Sequence, residues 1–68
     1  MPINSFGDIV RLYRRLGDLS QLDLATRISK SQSWVYQVEH GYLQPSLGDR
    51  ERLFKALNID PAKLEVHQ

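Results

Sequence analysis

The 68-residue chain has no cysteine, and its only histidines, His40 and His67, lie far apart in sequence. Disulfides and zinc are therefore excluded as staples, although natural scaffolds below ~70–80 residues often rely on them. Nowhere does an apolar run approach the ~20 residues needed to span a membrane. Met1-Pro2-Ile3-Asn4 is not the start of a secretory signal. The expected setting is thus reducing and cytoplasmic. The four glycines, Gly7, Gly17, Gly41 and Gly48, are too dispersed for a phosphate-cradling loop. With no metal-ligand cluster and no thiol nucleophile either, the sequence reads poorly as an enzyme, and neither cofactor nor metal is expected.

Strong net charge is missing too: nine Lys and Arg face eight Asp and Glu, leaving +1. That total hides a gradient. Residues 11–37 hold Arg11, Arg14, Arg15, Arg27 and Lys30 against Asp18 and Asp23, a net of +3. The segments on either side, 1–10 and 38–68, are each −1. Any positive field sits in the first half. A chain this short buries only about 60% of its unfolded surface. Its stability must come from efficient helix packing, from self-association, or from both.

No stretch alternates apolar and polar residues as a strand would. Helix boundaries, by contrast, are well marked. Ser5, Ser20 and Ser46 are each followed three residues later by an aspartate, Asp8, Asp23 or Asp49. This is close to a capping box, with aspartate in place of the usual Glu or Gln. Asp60-Pro61 marks a further start, with Ile59 and Leu64 at the spacing of a hydrophobic staple. Gly17 and Gly41 can take the left-handed conformation that ends a helix, and Asn58 is a weaker form of that signal. These signs predict five short helices, roughly 6–16, 21–28, 32–39, 47–57 and 61–66. Only Ser29-Lys30-Ser31 separates the second from the third, so the two must cross steeply, as in a helix-turn-helix.

At about 100° per residue, Gln32, Ser33, Tyr36 and Gln37 of the third helix share an arc of about 140°. Trp34, Val35 and Val38 occupy the opposite side. A solvated face usually carries Lys and Glu; this one is neutral, rich in hydrogen-bonding groups and free of acids. Glutamine can pair with adenine N6 and N7, serine can donate or accept, and an aromatic ring can meet a thymine methyl. A polar face with no partner is the plain alternative. Glu39 sits in the last turn, where the helix dipole disfavours an anion by ~0.3–1 kcal/mol. Its position there calls for a specific cation. The first helix has an apolar stripe of Phe6, Ile9, Val10, Tyr13 and Leu16, with Leu12 at one margin and Arg14 at the other. Arg14 paired with Glu39 would tie the first helix to the third, while Arg11 and Arg15 point outward.

Leu19-Ser20-Gln21, Leu24-Ala25, Ile28, Ser31-Gln32-Ser33-Trp34-Val35, Val38-Glu39-His40-Gly41 and Pro45-Ser46-Leu47 form an ordered set of motifs, and from Gln21 through Ala25 and Val35 to Gly41 their spacing matches a known family's without a gap. In these motifs the chain resembles the Cro/cI-type (XRE) helix-turn-helix DNA-binding domains over roughly residues 6–65. The resemblance implies an all-α, lambda-repressor-like fold whose second and third helices form the helix-turn-helix. It implies base contacts from Gln32, Ser33, Tyr36 and Gln37. Gln21 matches the family's backbone-anchoring glutamine, and Arg11, Arg15, Arg27, Lys30, Tyr42 and Gln44 are the further candidates for DNA backbone contacts. Arg14 and Glu39 match an internal ion pair, Ala25 a small residue allowing close helix approach, and Trp34 an often aromatic position expected to pack rather than stack on a base. Three departures stand out. Ser29 occupies a turn position usually glycine, which implies strain or a shifted turn. Tyr42-Leu43-Gln44 replaces a usually basic loop, which implies fewer phosphate contacts. Gly48 weakens the start of the fourth helix.

By this resemblance the chain is expected to bind double-stranded DNA in sequence-specific fashion, as a bacterial or phage transcriptional regulator of repressor type. Such modules usually act as homodimers on pseudo-palindromic operators. Leu57, Ile59, Leu64 and Val66 are candidates for the dimer surface or, equally, for closing the core. Residues 1–68 form one domain, either a whole small regulator or the N-terminal part of a longer one. The rival expectation is a protein-interaction or antitoxin-type module on the same fold, with DNA secondary.

Overall fold

The computed structural model describes residues 5–60 and residue 62. Four helices, and no strands, occur among them: α1 (Phe6–Leu16), α2 (Gln21–Arg27), α3 (Gln32–Glu39) and α4 (Leu47–Leu57). The predicted fifth helix at 61–66 lies outside the described residues except for Ala62. The Ala62 N–H donates to the Asp60 carboxylate at 3.0 Å.

Every start is capped by serine. Ser5, Ser20, Ser31 and Ser46 accept from the N–H groups of Asp8, Asp23, Trp34 and Asp49 at 3.2, 2.9, 3.1 and 3.2 Å. The box closes in both directions only at α2, where the Ser20 N–H donates to Asp23 Oδ2 at 3.0 Å. Asp8 and Asp49 instead turn to Arg11 and Lys30.

The stops share one geometry as well. At each, a left-handed residue is followed by an N–H that reaches back five residues, the 6→1 bond of a Schellman motif. These bonds are Leu19 to Arg14, Lys30 to Ala25, Tyr42 to Gln37 and Ile59 to Phe54, at 3.0, 2.9, 2.8 and 2.8 Å. The left-handed residues are Asp18, Ser29, Gly41 and Asn58, with φ of 58°, 59°, 77° and 60°. Gly41 and Asn58 stand where the sequence places them. Gly17 does not: its φ is −91°, and the turn falls one residue later on Asp18. An aspartate tolerates that conformation better than most side chains. α2 likewise ends at Arg27, with Ile28 as its cap, one residue short of the predicted limit. The turn at Ser29 is not shifted; serine adopts the positive φ itself.

α2 packs against α3, and α1 packs against both α3 and α4. Val10, Leu24, Ala25, Ile28, Val35, Val38, Leu53, Leu57 and Ile59 form the core. Of these, Leu24, Leu53, Val10, Val35 and Val38 are the largest that are fully enclosed, each stabilising the fold by about 1.5–3 kcal/mol. Leu57 and Ile59 therefore close the core, whereas Leu64 and Val66 lie outside the described residues. Phe6, Ile9 and Tyr13 pack onto the cluster from α1. Leu16 departs from the predicted stripe, being 71% exposed. α1 has its buried positions at Gly7 and Val10, and its last turn holds none.

Gly7 marks the closest helix approach. A methyl group there would lie 2.6 Å from the Glu39 carbonyl oxygen and closer still to that of Val38. Only glycine lets the first turn of α1 rest against the end of α3.

Candidate nucleic-acid interface

α3 is fixed from behind. Val35 and Val38 are buried in the core, and Trp34 packs half-buried against it. The Lys30 ammonium sits 5.1 Å from the centre of the Trp34 ring. Trp34 thus packs, as expected. The opposite side presents Gln32, Ser33 and Tyr36 exposed, with Gln37 partly covered. All four sequence-predicted base-contact candidates therefore share one face. The Gln37 amide donates to Ser33 Oγ at 3.2 Å, one turn back, which orders the centre of this face. No carboxylate shares it; Glu39 points inward and is 3% exposed.

Glu39 is the hub that sets the helix orientation. Arg14 donates to it twice, from Nε at 2.6 Å and from Nη2 at 3.1 Å. The remaining Arg14 terminal nitrogen donates to the Leu19 carbonyl at 2.9 Å. The Gln21 side-chain amide donates to Glu39 Oε1 at 3.2 Å. One carboxylate thereby joins the end of α3 to α1 and to the start of α2. This forked geometry is the strong form of a charged hydrogen bond. A buried anion so matched offsets the dipole penalty at the helix end.

The expected phosphate-binding residues differ in their freedom. Gln21 is committed through one amide N–H to Glu39, which leaves its second N–H available. Arg11 is held by Asp8 at 2.8 Å. Lys30 bridges to Asp49 of α4 at 3.6 Å. Arg15 and Arg27 are exposed and form no salt bridge among the described residues. Tyr42 and Gln44 are exposed in the α3–α4 connection. At the start of α2, hydrogen bonds from the Ser20 N–H and then its hydroxyl hold the Asp23 carboxyl below the usual range, with help from the charge of Arg27.

Two features escaped the sequence. One is Gly7, whose only sequence signal is a poor helix former placed inside a first turn. The other is a ladder of exposed rings at the end of α3. His40 stacks on Tyr36 at 4.0 Å between centroids, and Tyr42 follows His40 at 5.9 Å. The His40 Nδ1 lies 2.9 Å from the Tyr36 carbonyl oxygen, which pins the ring.

A family model described as a helix-turn-helix domain matches residues 5–66. Among solved structures, the chain is similar to the restriction-modification controller protein C.AhdI from Aeromonas hydrophila. The TM-score is 0.79 and the identity 37%, over 87% of this chain and 86% of that one. No curated protein matches the chain. The family match spans nearly the whole sequence, and α2 packs against α3 across a short connection, each helix capped by a serine. The chain belongs to the helix-turn-helix domains, of the Cro/cI type.

Proposed function

We propose that this domain binds double-stranded DNA sequence-specifically and regulates transcription, with α3 as the helix that enters the major groove. The observation that carries this is the acid-free face of Gln32, Ser33, Tyr36 and Gln37, held rigid by Val35 and Val38 behind it and by the Arg14–Glu39–Gln21 cluster at its end. Base edges are read by such groups, while phosphates set register without carrying sequence. Arg15 and Arg27 are the phosphate contacts available without breaking an internal pair. Gln21 contributes through its second N–H, and Tyr42 and Gln44 through the loop. Arg11 and Lys30 must exchange Asp8 and Asp49 for phosphate, which lowers their net gain.

The similarity to a restriction-modification controller protein supports a regulatory role in a bacterial or phage setting, acting in the cytoplasm and by binding rather than catalysis. Residues 1–68 act as one domain. Two copies bind a pseudo-palindromic operator with half-sites about one DNA turn apart. Selection from a randomised DNA pool, followed by titration of the enriched duplex, tests this. One enriched motif with twofold symmetry is expected. If only salt-dependent, sequence-independent binding were found, the proposal would fail.

A further inference from the structure

The end of α2 and the outer side of α4 enclose an open cleft of about 530 Å3, lined by Arg27, Ile28, Ser29, Arg52, Lys55 and Ala56. Three of these six side chains are cations and none is a carboxylate. None of the three forms a salt bridge among the described residues, whereas Arg11, Arg14 and Lys30 each have an acidic partner. Lys55 also borders a neighbouring cleft that holds Glu51 and Asp60, and Arg27 acts through its charge on Asp23, so Arg52 is the cation of the three with no acidic neighbour among these.

Arg27 and Lys55 lie in the last turns of their helices, where the dipole favours a cation. Arg52 lies mid-helix and has no such reason. Gathering three like charges around one cavity is unfavourable until an anion enters it. Ser29, left-handed at φ 59° like the other helix stops, adds a hydroxyl-bearing side chain to the cleft lining. Ile28 and Ala56 form an apolar floor.

We infer that this cleft binds a compact polyanion of the diphosphate class. Arg27 and Arg52 grip oxygens of adjacent phosphates through their planar forks. Lys55 supplies a point charge, and the Ser29 hydroxyl donates one hydrogen bond. None of the lining residues belongs to α3, so the site is separate from the base-reading face. Arg27 is also a candidate for a DNA phosphate, and the two assignments predict different behaviour.

The test is calorimetric titration of the full chain, without DNA, using inorganic pyrophosphate at fixed ionic strength with sulfate as the control anion. Saturable one-to-one binding, tighter than for sulfate, is expected. Arg52→Gln and Lys55→Gln should each weaken it about tenfold, the loss of one charged hydrogen-bonding partner. Arg52→Lys should lie between wild type and Arg52→Gln, and Ser29→Gly should weaken binding while raising the melting temperature. Melting curves for each variant confirm folding, since these cations lie outside the core. No saturable binding at millimolar pyrophosphate would overturn the proposal, as would binding indifferent to Arg52→Gln. So would variants that weaken DNA binding in a chain that ignores pyrophosphate, because the cleft would then serve the DNA backbone.

Discussion

Removing the carboxylate of Glu39 should be among the most damaging single changes outside the apolar core. Glu39 is 3% exposed and accepts three side-chain hydrogen bonds, two from Arg14 and one from Gln21. In Glu39→Ala the Arg14 guanidinium, whose side chain is only 11% exposed, keeps one bond to the Leu19 carbonyl and loses its counter-ion. Breaking a buried pair from one side costs about 3–5 kcal/mol. The partial exposure of Arg14 places this case near the lower end, at about 3 kcal/mol. A domain of this length has about 3–10 kcal/mol in total. At about 4–8 °C per kcal/mol, the melting temperature should fall by about 12–24 °C. Urea denaturation followed by helical circular dichroism measures the loss directly. The paired replacement Arg14→Met with Glu39→Leu should cost clearly less than the sum of its single changes, because neither charge is then left alone. A loss below ~1 kcal/mol for Glu39→Ala, or additivity in the cycle within ~0.5 kcal/mol, would refute the clamp.

Gly7→Ala should destabilise by about 1–3 kcal/mol or more, since its methyl meets backbone oxygens that cannot rotate away; a thermal melt unchanged from wild type would contradict the close approach. Gly48→Ala should raise stability by up to ~1 kcal/mol, because the added methyl in the first turn of α4 comes no closer than 4.0 Å to its nearest neighbour, Ser46 Oγ. Denaturant midpoints for the two variants should therefore move in opposite directions. The capping box makes stability depend on acid. Asp23 has a lowered pKa in the folded chain, so its contribution is complete above the ordinary carboxylate range and is lost as pH falls through the folded value. Asp23→Asn should flatten that acid limb of the stability profile, and an identical limb in the variant would remove Asp23 as its cause.

How legible the molecule is depends on the range of the interaction. Helix starts are local events. A serine and an aspartate three residues apart carry enough information, and α1, α3 and α4 occupy their predicted spans. The stops are nearly as local, yet Gly17 and Asp18 show the limit of composition. Either residue can end α1, and the hydrogen bond from Leu19 to Arg14 decides for Asp18. Leu16 continues a helical stripe by periodicity, but a helix buries only the part of its stripe that a neighbour covers. Gly7 is invisible locally because its reason lies 31 and 32 residues away, at the Val38 and Glu39 carbonyls. Arg14 and Glu39 were within reach of the sequence because an anion at a helix C-terminus is anomalous. Nothing comparable marked the bond from Gln21 to Glu39, which depends on how α2 crosses α3. The polar face of α3 could be read from periodicity alone. The arginines and lysine beside Ser29 come from α2 and α4, 25–28 residues apart for Arg27 with Arg52 and Lys55, so their cleft exists only once the helices pack.

The central claim is that the exposed polar face of α3 reads bases. It is tested most directly by measuring binding of wild type, Gln32→Ala and Gln37→Ala to the selected operator and to its single-base-pair variants at one salt concentration. Each glutamine variant should lose about 1–3 kcal/mol of discrimination at a particular base pair and little elsewhere. A uniform loss across all sequences, or undiminished discrimination at every position, would contradict it.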